Sequence, residues 1–412
     1  MLALDLTLVA FALVGHAALW ITFSNQVQAT AMPGWLVTAL SWLARLSFLV
    51  APAAFLAWSW HHLPSAAGGS PGTAAGESWR LAAGNWGGGG AVLPPAMRFY
   101  LHFSAAIGVF VVVRWAYLSR RRHASGLLDS SFEVVDIAQR VGRPPIGRGL
   151  RSWLAHVPGN EVFHLEVNRK ELAVLDLPPA LDGLSIAHLS DLHYYRAVDR
   201  SFFDEVVRIT NRLEPELVAI TGDLVDGADC IEWIGPTLGQ LVAPYGVYAI
   251  LGNHDLHTHR VREIREAVAA AGLEDMGGRW LICTMRDWPV IVAGNELPWL
   301  PPAADVEHCP CQVAGRRPLR LLLAHSPDQF AWARRFGFQV MLAGHTHGGQ
   351  IQVPIVGPIV APSRHGVRFA SGTFFEPPTV MHVSRGVSAV DPIRLHCRPE
   401  LTQIVLRAAP AR

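Results

Sequence analysis

Five times between residues 184 and 347, a short apolar run ends in a cluster of carboxylate, imidazole or amide side chains. Residues 184–189 lead to Ser190-Asp191-Leu192-His193, and residues 217–221 lead to Gly222-Asp223. Residues 247–251 lead to Gly252-Asn253-His254-Asp255, and 319–324 lead to His325. The last run, 339–343, leads to Gly344-His345-Thr346-His347-Gly348-Gly349-Gln350. Short, continuously apolar runs of this kind suit strands buried on both faces. Helical patterning separates them, at 202–213 and 261–271. Strands alternating with helices predict an α/β domain, whose ligands collect at the carboxyl ends of the strands. All five polar clusters fall at that end.

Together the clusters offer Asp191, His193, Asp223, Asn253, His254, His325, His345 and His347. In extended chain, side chains two apart face the same way, so Asp191 with His193 and His345 with His347 point into one site. Carboxylate, imidazole and amide without thiolate suits Mn, Fe or Zn at a working site better than a structural zinc. The set exceeds what one ion needs, which implies two divalent metal ions. Two ions about 4 Å apart hold a hydroxide between them and clamp the oxygens of a phosphate. The five cysteines are scattered. Cys309-Pro310-Cys311 beside His308 lacks the second pair that a zinc knuckle requires, and reads as a loop with incidental thiols. His188 reads as a core residue, and His257 and His259 as part of a solvated loop.

Hydrophobic residues make up 50% of the chain and charged ones 16%, which points to membrane segments. The net charge of +1 gives no support to nucleic-acid binding, which usually shows a basic face, so no nucleic-acid partner is expected. Residues 6–23, 35–60 and 99–118 are apolar over lengths near the ~20 residues that cross a bilayer. Arg45 lies inside the second; it pairs with Asp5, holds a lipid phosphate, or sits nearer the surface than the span suggests. Arg120-Arg121-Arg122 closes the third span, and basic residues favour the cytoplasmic side. This predicts an outside N-terminus, a multi-pass protein of the cell (inner) membrane, and a cytoplasmic catalytic domain. Residues 64–95, rich in Gly, Pro, Ala and Ser, read as a flexible loop. The expected organisation is a transmembrane region at 1–122, a linker at 123–157 and a globular domain at 158–412. Within the linker, Ser130-Ser131-Phe132-Glu133 fits a capping box opening a helix to about residue 141. Arg148, Arg151, Trp153 and Leu154 fit either an interfacial helix or a solvated one. Residues 163–167 and 171–177 read as a hairpin turning at Asn168-Arg169.

In order, Asp-x-His, Gly-Asp, Gly-Asn-His-Asp, a lone His and Gly-His-x-His resemble the calcineurin-like metallophosphoesterases. Gly348-Gly349-Gln350, Val383-Ser384-Arg385-Gly386 and the stretch from Arg394 to Glu400 resemble the membrane-associated branch typified by YkuE and YaeI. That branch is similar to the UDP-2,3-diacylglucosamine pyrophosphatase LpxG of lipid A biosynthesis. The resemblance implies two β-sheets stacked as a sandwich and flanked by helices. It places Asp191, His193 and His347 on one metal, Asn253, His325 and His345 on the other, and Asp223 between them. His254 is implied as the acid at the leaving group, with Asp255 orienting it. A hydroxide between the metals then attacks phosphorus in line, and no phosphoenzyme forms. Arg385, His365 and Asn295 are implied substrate contacts; at the last, Gly294-Asn295-Glu296 departs from the family pattern. The expected function is a membrane-anchored phosphoesterase acting on a phosphodiester or pyrophosphate, with a lipid-linked or nucleotide-diphosphate substrate such as UDP-2,3-diacylglucosamine. The alternatives are a phosphodiesterase of a small substrate and a membrane sensor or scaffold that has lost catalysis.

Overall fold

The computed structural model describes residues 2–62, 85–86, 91–92, 94–120 and 125–409. Most of the 64–95 loop and of the Arg120–Arg122 cluster lies outside them. The described residues form two compact units, one made of residues 1–28 and 32–122 and the other of 29–31 and 123–412.

The first unit holds three helices, Leu2–Gln28, Gly34–His62 and Pro95–Arg120. Within them Thr7–Gln28, Gly34–Ala57 and Pro95–Tyr117 are long and apolar enough to cross a membrane. Small residues let the first and third helices approach closely, as helices without a hydrophobic driving force must. A Cβ on Gly15 would overlap the carbonyl of Ser104, and one on Gly108 that of Phe11. His16 joins all three helices: Nδ1 lies 2.7 Å from the Tyr100 hydroxyl and Nε2 lies 3.0 Å from the Phe48 carbonyl. Arg45 rests its guanidinium over the Trp42 ring. The two-residue strands β1 (Asn85–Trp86) and β2 (Ala91–Val92) pair with each other.

The second unit is built on two mixed sheets. Strands β3 (Leu127–Asp136), β4 (His164–Val174), β5 (Ser185–Leu189), β6 (Leu217–Thr221), β7 (Val247–Ile250) and β8 (Glu274–Asp275) belong to the seven-stranded sheet. With β17 (Glu400–Ala408) its order is β3-β4-β17-β5-β6-β7-β8. The six-stranded sheet has the order β15-β16-β12-β11-β10-β9. Its members are β9 (Trp280–Met285), β10 (Trp288–Asn295), β11 (Leu319–Ala324), β12 (Val340–Ala343), β15 (Gly372–Glu376) and β16 (Thr379–Val383). A small hairpin, β13 (Gln352–Val353) and β14 (Gly357–Pro358), stands apart.

Alternation along the strands makes the sandwich. In β6, Leu217 and Ala219 face the second sheet, while Val218 and Ile220 face the helical layer outside. In β11, Leu321 and Leu323 meet that same central layer, and Leu322 and Ala324 face outward to the helix Phe330–Arg335. The outer layer over the first sheet includes the helix Arg200–Arg212. It buries Phe202, Phe203, Val206 and Ile209 and is capped by Asp199, whose side chain accepts from the Ser201 amide. The strands expected from continuous apolar runs are present at β5, β6, β7, β11 and β12.

Two local readings are corrected. Ser130-Ser131-Phe132-Glu133 lies inside β3, and the short helix Ile137–Val141 is capped by Asp136. Pairing along β4, from Leu127–Leu172 to Asp136–His164, outweighs the local capping signal. Asn168-Arg169 makes no turn: β4 runs straight through, and buried Asn168 donates to Glu166 and Glu400. The basic-aromatic stretch forms a 3₁₀ turn, Ser152–His156, with Trp153 exposed.

Candidate dinuclear metal centre

The loops after β5, β6, β7, β11 and β12 converge at one end of the two sheets. Asp191, His193, Asp223, His345 and His347 all hold positive φ, between 47° and 69°. Left-handed backbone costs roughly 1–3 kcal/mol at a non-glycine residue and gathers at functional sites, where the surrounding fold over-determines it. Backbone hydrogen bonds impose it here. The Asp191 amide donates to Gly222 O, the His193 amide to Asp223 O, and the Gly344 amide to His325 O. Close approach does the rest: a Cβ on Gly252 would strike Asp223 and the His325 ring, and one on Gly344 would strike Ser190 and Asp191.

Three groups of potential ligating atoms result among the described residues: His193, Asp226 and His254 toward the rim, and two deeper ones. Asp191, His193 and His347 form one, and Asp223, His325 and His345 the other; within each, the atoms lie within 4.8 Å of one another. His193 Nε2 and His347 Nε2 are 3.1 Å apart, with Asp191 Oδ1 at 3.9 and 3.6 Å from them. Asp223 Oδ2 lies 3.1 Å from His325 Nε2 and 3.7 Å from His193 Nε2, so it stands between the groups. Asn253 Oδ1 approaches His325 Nε2 at 3.2 Å. All seven expected ligands are thus brought together.

The donor set fits divalent cations. Among the described residues, Asp223 Oδ2 and His345 Nε2 are buried polar atoms with no hydrogen-bond partner. Such orphans are costly unless something satisfies them. His325 turns Nδ1 to the Thr221 carbonyl at 2.7 Å, which frees Nε2, the arrangement that orients metal-binding imidazoles. Burial, with His325 and His193 nearby, pushes His345 and His347 well below the usual histidine range, toward the neutral, ligating form. Burial opposes ionisation of Asp223, but the His325 and His254 imidazoles outweigh it and hold the carboxyl well below its ordinary range.

His254 stands at the rim. Its side chain is 30% exposed, against 13% or less for His193, His325 and His347. Its amide donates to Asp223 Oδ1 at 2.8 Å, and its Nδ1 meets Asp226 Oδ1 at 2.5 Å. The other oxygen of Asp226 meets His193 Nδ1 at 2.7 Å. Burial works to lower His254, but the Asp226 and Asp223 carboxylates prevail and raise it to about 10. Sequence reasoning missed Asp226; the signal was its place three residues after Asp223, in Gly222-Asp223-Leu224-Val225-Asp226.

Asp255 is a correction. Its carboxylate accepts from the amides of Gly252, Leu224 and Val225, so it braces two loops and does not orient the His254 ring. Burial, with Asp223 nearby, raises it to about 7. The three expected substrate contacts have the following surroundings. The Arg385 guanidinium is committed to Glu166 at 2.6 Å and Glu400 at 3.0 Å. Asn295 is fully buried; its Oδ1 accepts from the Leu297 amide and its Nδ2 donates to Gln329. His365 lies on the surface with its ring against Phe369. Fully buried Arg394 anchors the His347 loop by donating to the carbonyls of His347, Arg385 and Ser388. Trp299 packs its ring 4.6 Å from His345, a contact nothing in the sequence signals.

Behind the centre runs a buried relay. Lys170 Nζ lies 2.6 Å from Glu400 and 3.1 Å from His382 Nε2. His382 Nδ1 meets His188 Nδ1 at 2.9 Å, His188 Nε2 meets Thr221 Oγ1 at 2.9 Å, and Thr221 donates to Ser190. His188 is core, as expected, and the chain of contacts ends beside Asp191.

Comparison with known proteins agrees with this geometry. The sequence profile of the calcineurin-like phosphoesterases matches residues 184–349. Phosphodiesterase YaeI of Escherichia coli is 30% identical over 229 residues, covering 54% of this chain and 81% of that protein. The metallophosphoesterase YkuE of Bacillus subtilis is 28% identical over 236 residues, 56% of this chain and 82% of the relative. UDP-2,3-diacylglucosamine pyrophosphatase LpxG of Chlamydia muridarum is 23% identical over 294 residues, 58% of this chain and 89% of the relative.

Proposed function

Because this chain belongs to the calcineurin-like phosphoesterase family and is a metal-dependent phosphoester hydrolase, we propose that its substrate is a lipid-linked phosphodiester or pyrophosphate. UDP-2,3-diacylglucosamine is the leading member of that class, by similarity to LpxG. The observation that carries the reading is the placement of Asp223 between two ligand groups, beside a histidine at the rim. Three helices able to cross a membrane accompany this site, which suits a substrate held in a bilayer. The proposed location is the inner membrane, with the catalytic domain in the cytoplasm.

Asp191, His193 and His347 would hold one divalent ion, Asn253, His325 and His345 the other, and Asp223 both. When bound, such a pair supplies a water nucleophile at neutral pH and neutralises charge on phosphoryl oxygens. The chain's own residues do the rest. Asp226 fixes the His254 ring through Nδ1, leaving Nε2 at the rim to give its proton to the departing oxygen. The same carboxylate fixes the tautomer of His193. His254→Ala is expected to keep its metal while losing about 10²–10⁴-fold in kcat, the usual worth of a positioned acid. Metal analysis and turnover of UDP-2,3-diacylglucosamine by the full chain in detergent with Mn²⁺ test this together. Unchanged activity in the variant removes the acid role. Turnover of a soluble aryl phosphodiester alone favours a small-substrate phosphodiesterase, which the similarity to YaeI supports.

A further inference from the structure

The hairpin that follows the metal-binding histidines is apolar, uncharged and open to solvent. Residues 351–363 contain no charged side chain. Ile355 is 99% exposed and Val356 52%, with Ile351 and Val353 also open. Contiguous exposed apolar surface of this kind marks an interaction site. Ile355 also holds φ at 72°, a conformation that β-branched residues resist. An isoleucine is therefore kept at the tip of the turn where asparagine or glycine would be relaxed.

The hairpin is tied to the metal centre. Its base folds back on Gly349, where an added Cβ would stand 2.7 Å from Pro358, two residues from His347. Ile351 bridges to Leu395, next to the Arg394 that grips the His347 carbonyl. A second exposed apolar pair, Leu150 and Trp153, is pinned to the same segment: Arg151 pairs with Asp391 at 2.9 Å, and Gln350 donates to the Asp391 carbonyl. Arg148 and Arg364 are exposed at the margins of these two stretches. We propose that the hairpin and the Leu150–Trp153 turn form one surface that enters the acyl layer of an anionic bilayer, setting the mouth of the metal centre at the level of the headgroups.

Two features select a bilayer over a protein. Pro354, Pro358 and Pro362 remove amide donors along the hairpin, which denies it the strand pairing a second chain would use. Apolar side chains beside arginine are the composition that binds anionic lipid surfaces. This inference rests on the reading of a membrane-held substrate, and its test does not depend on turnover. A benzophenone amino acid is placed at Ile355, at Leu150 or, for comparison, at Val242. Val242 is 69% exposed and precedes β7, at the other end of the strands. Each full-length chain is reconstituted in phosphatidylethanolamine–phosphatidylglycerol vesicles, irradiated and analysed by mass spectrometry. Lipid adducts at Ile355 and Leu150, and none at Val242, are expected. Adducts to protein at Ile355, no lipid adduct at either patch position, or equal yield at Val242 overturns the proposal. Adducts in a chain that hydrolyses no lipid-linked phosphate would sink the substrate reading and leave this one standing.

Discussion

One carboxylate, Asp226, holds two imidazoles with different tasks, His193 in the ligand group and His254 at the rim. Asp226→Asn keeps the shape, but one of its two positions becomes a donor facing a histidine nitrogen. A loss of about 10–100-fold in metal affinity or activity is the usual consequence of disturbing such a partner. Metal titration and kcat/KM, measured side by side, would show both effects in this variant. The His188–His382 pair carries a pH signature. Both rings are neutral in the fold: burial first, then the Lys170 ammonium, lowers His382 to about 4 from an ordinary 6.5, despite Glu400. Burial, then His382, holds His188 well below its ordinary range too. The unfolded chain therefore binds more protons between pH 6.5 and 4. Stability is full above pH 6.5 and falls as pH drops through that window, by about 3 kcal/mol for His382 alone. Thermal melts across the window, with His382→Gln as comparison, check it; the variant should show a flatter slope. Ligand types were legible in the sequence because metal chemistry restricts them to a few side chains at strand ends. Partners such as Asp226 and Trp299 were not, since their roles depend on which loops face each other.

At the scale of elements, the central strands carry the fold. Leu321 is buried between the sheets, and Leu321→Ala should cost about 2–5 kcal/mol, seen as a lowered melting temperature. These strands were readable because both faces are covered, so every residue is apolar and the ends are marked by polar clusters. Strand β3 was not, because it is an edge strand with most of its residues exposed. Its only fixed feature is its pairing with β4, a distant tertiary fact. The same holds for Asn168: it looks like a turn residue until the buried Glu400 that receives its amide is in place.

For the molecule as a whole, the loaded centre joins five loops from both sheets. Stripping metal would leave Asp223 Oδ2 and His345 Nε2 without partners. Chelation should lower the melting temperature, and Mn²⁺ should restore it; an ion at a hundredfold its Kd contributes about 2.7 kcal/mol. The three apolar helices were legible from hydropathy alone; strand–helix alternation gave an α/β domain, and the two-sheet sandwich came only as what the resemblance to the calcineurin-like family implies. How the seven-stranded sheet closes was not, because β17 enters between β4 and β5 from the far end of the chain. That insertion brings Glu400 to Lys170, the single lysine of the chain. Lys170 Nζ is therefore the single side-chain primary amine for an amine-selective reagent to find, and it is held in an ion pair behind the catalytic centre. Its rate of modification would report how firmly Glu400, on β17, holds that amine.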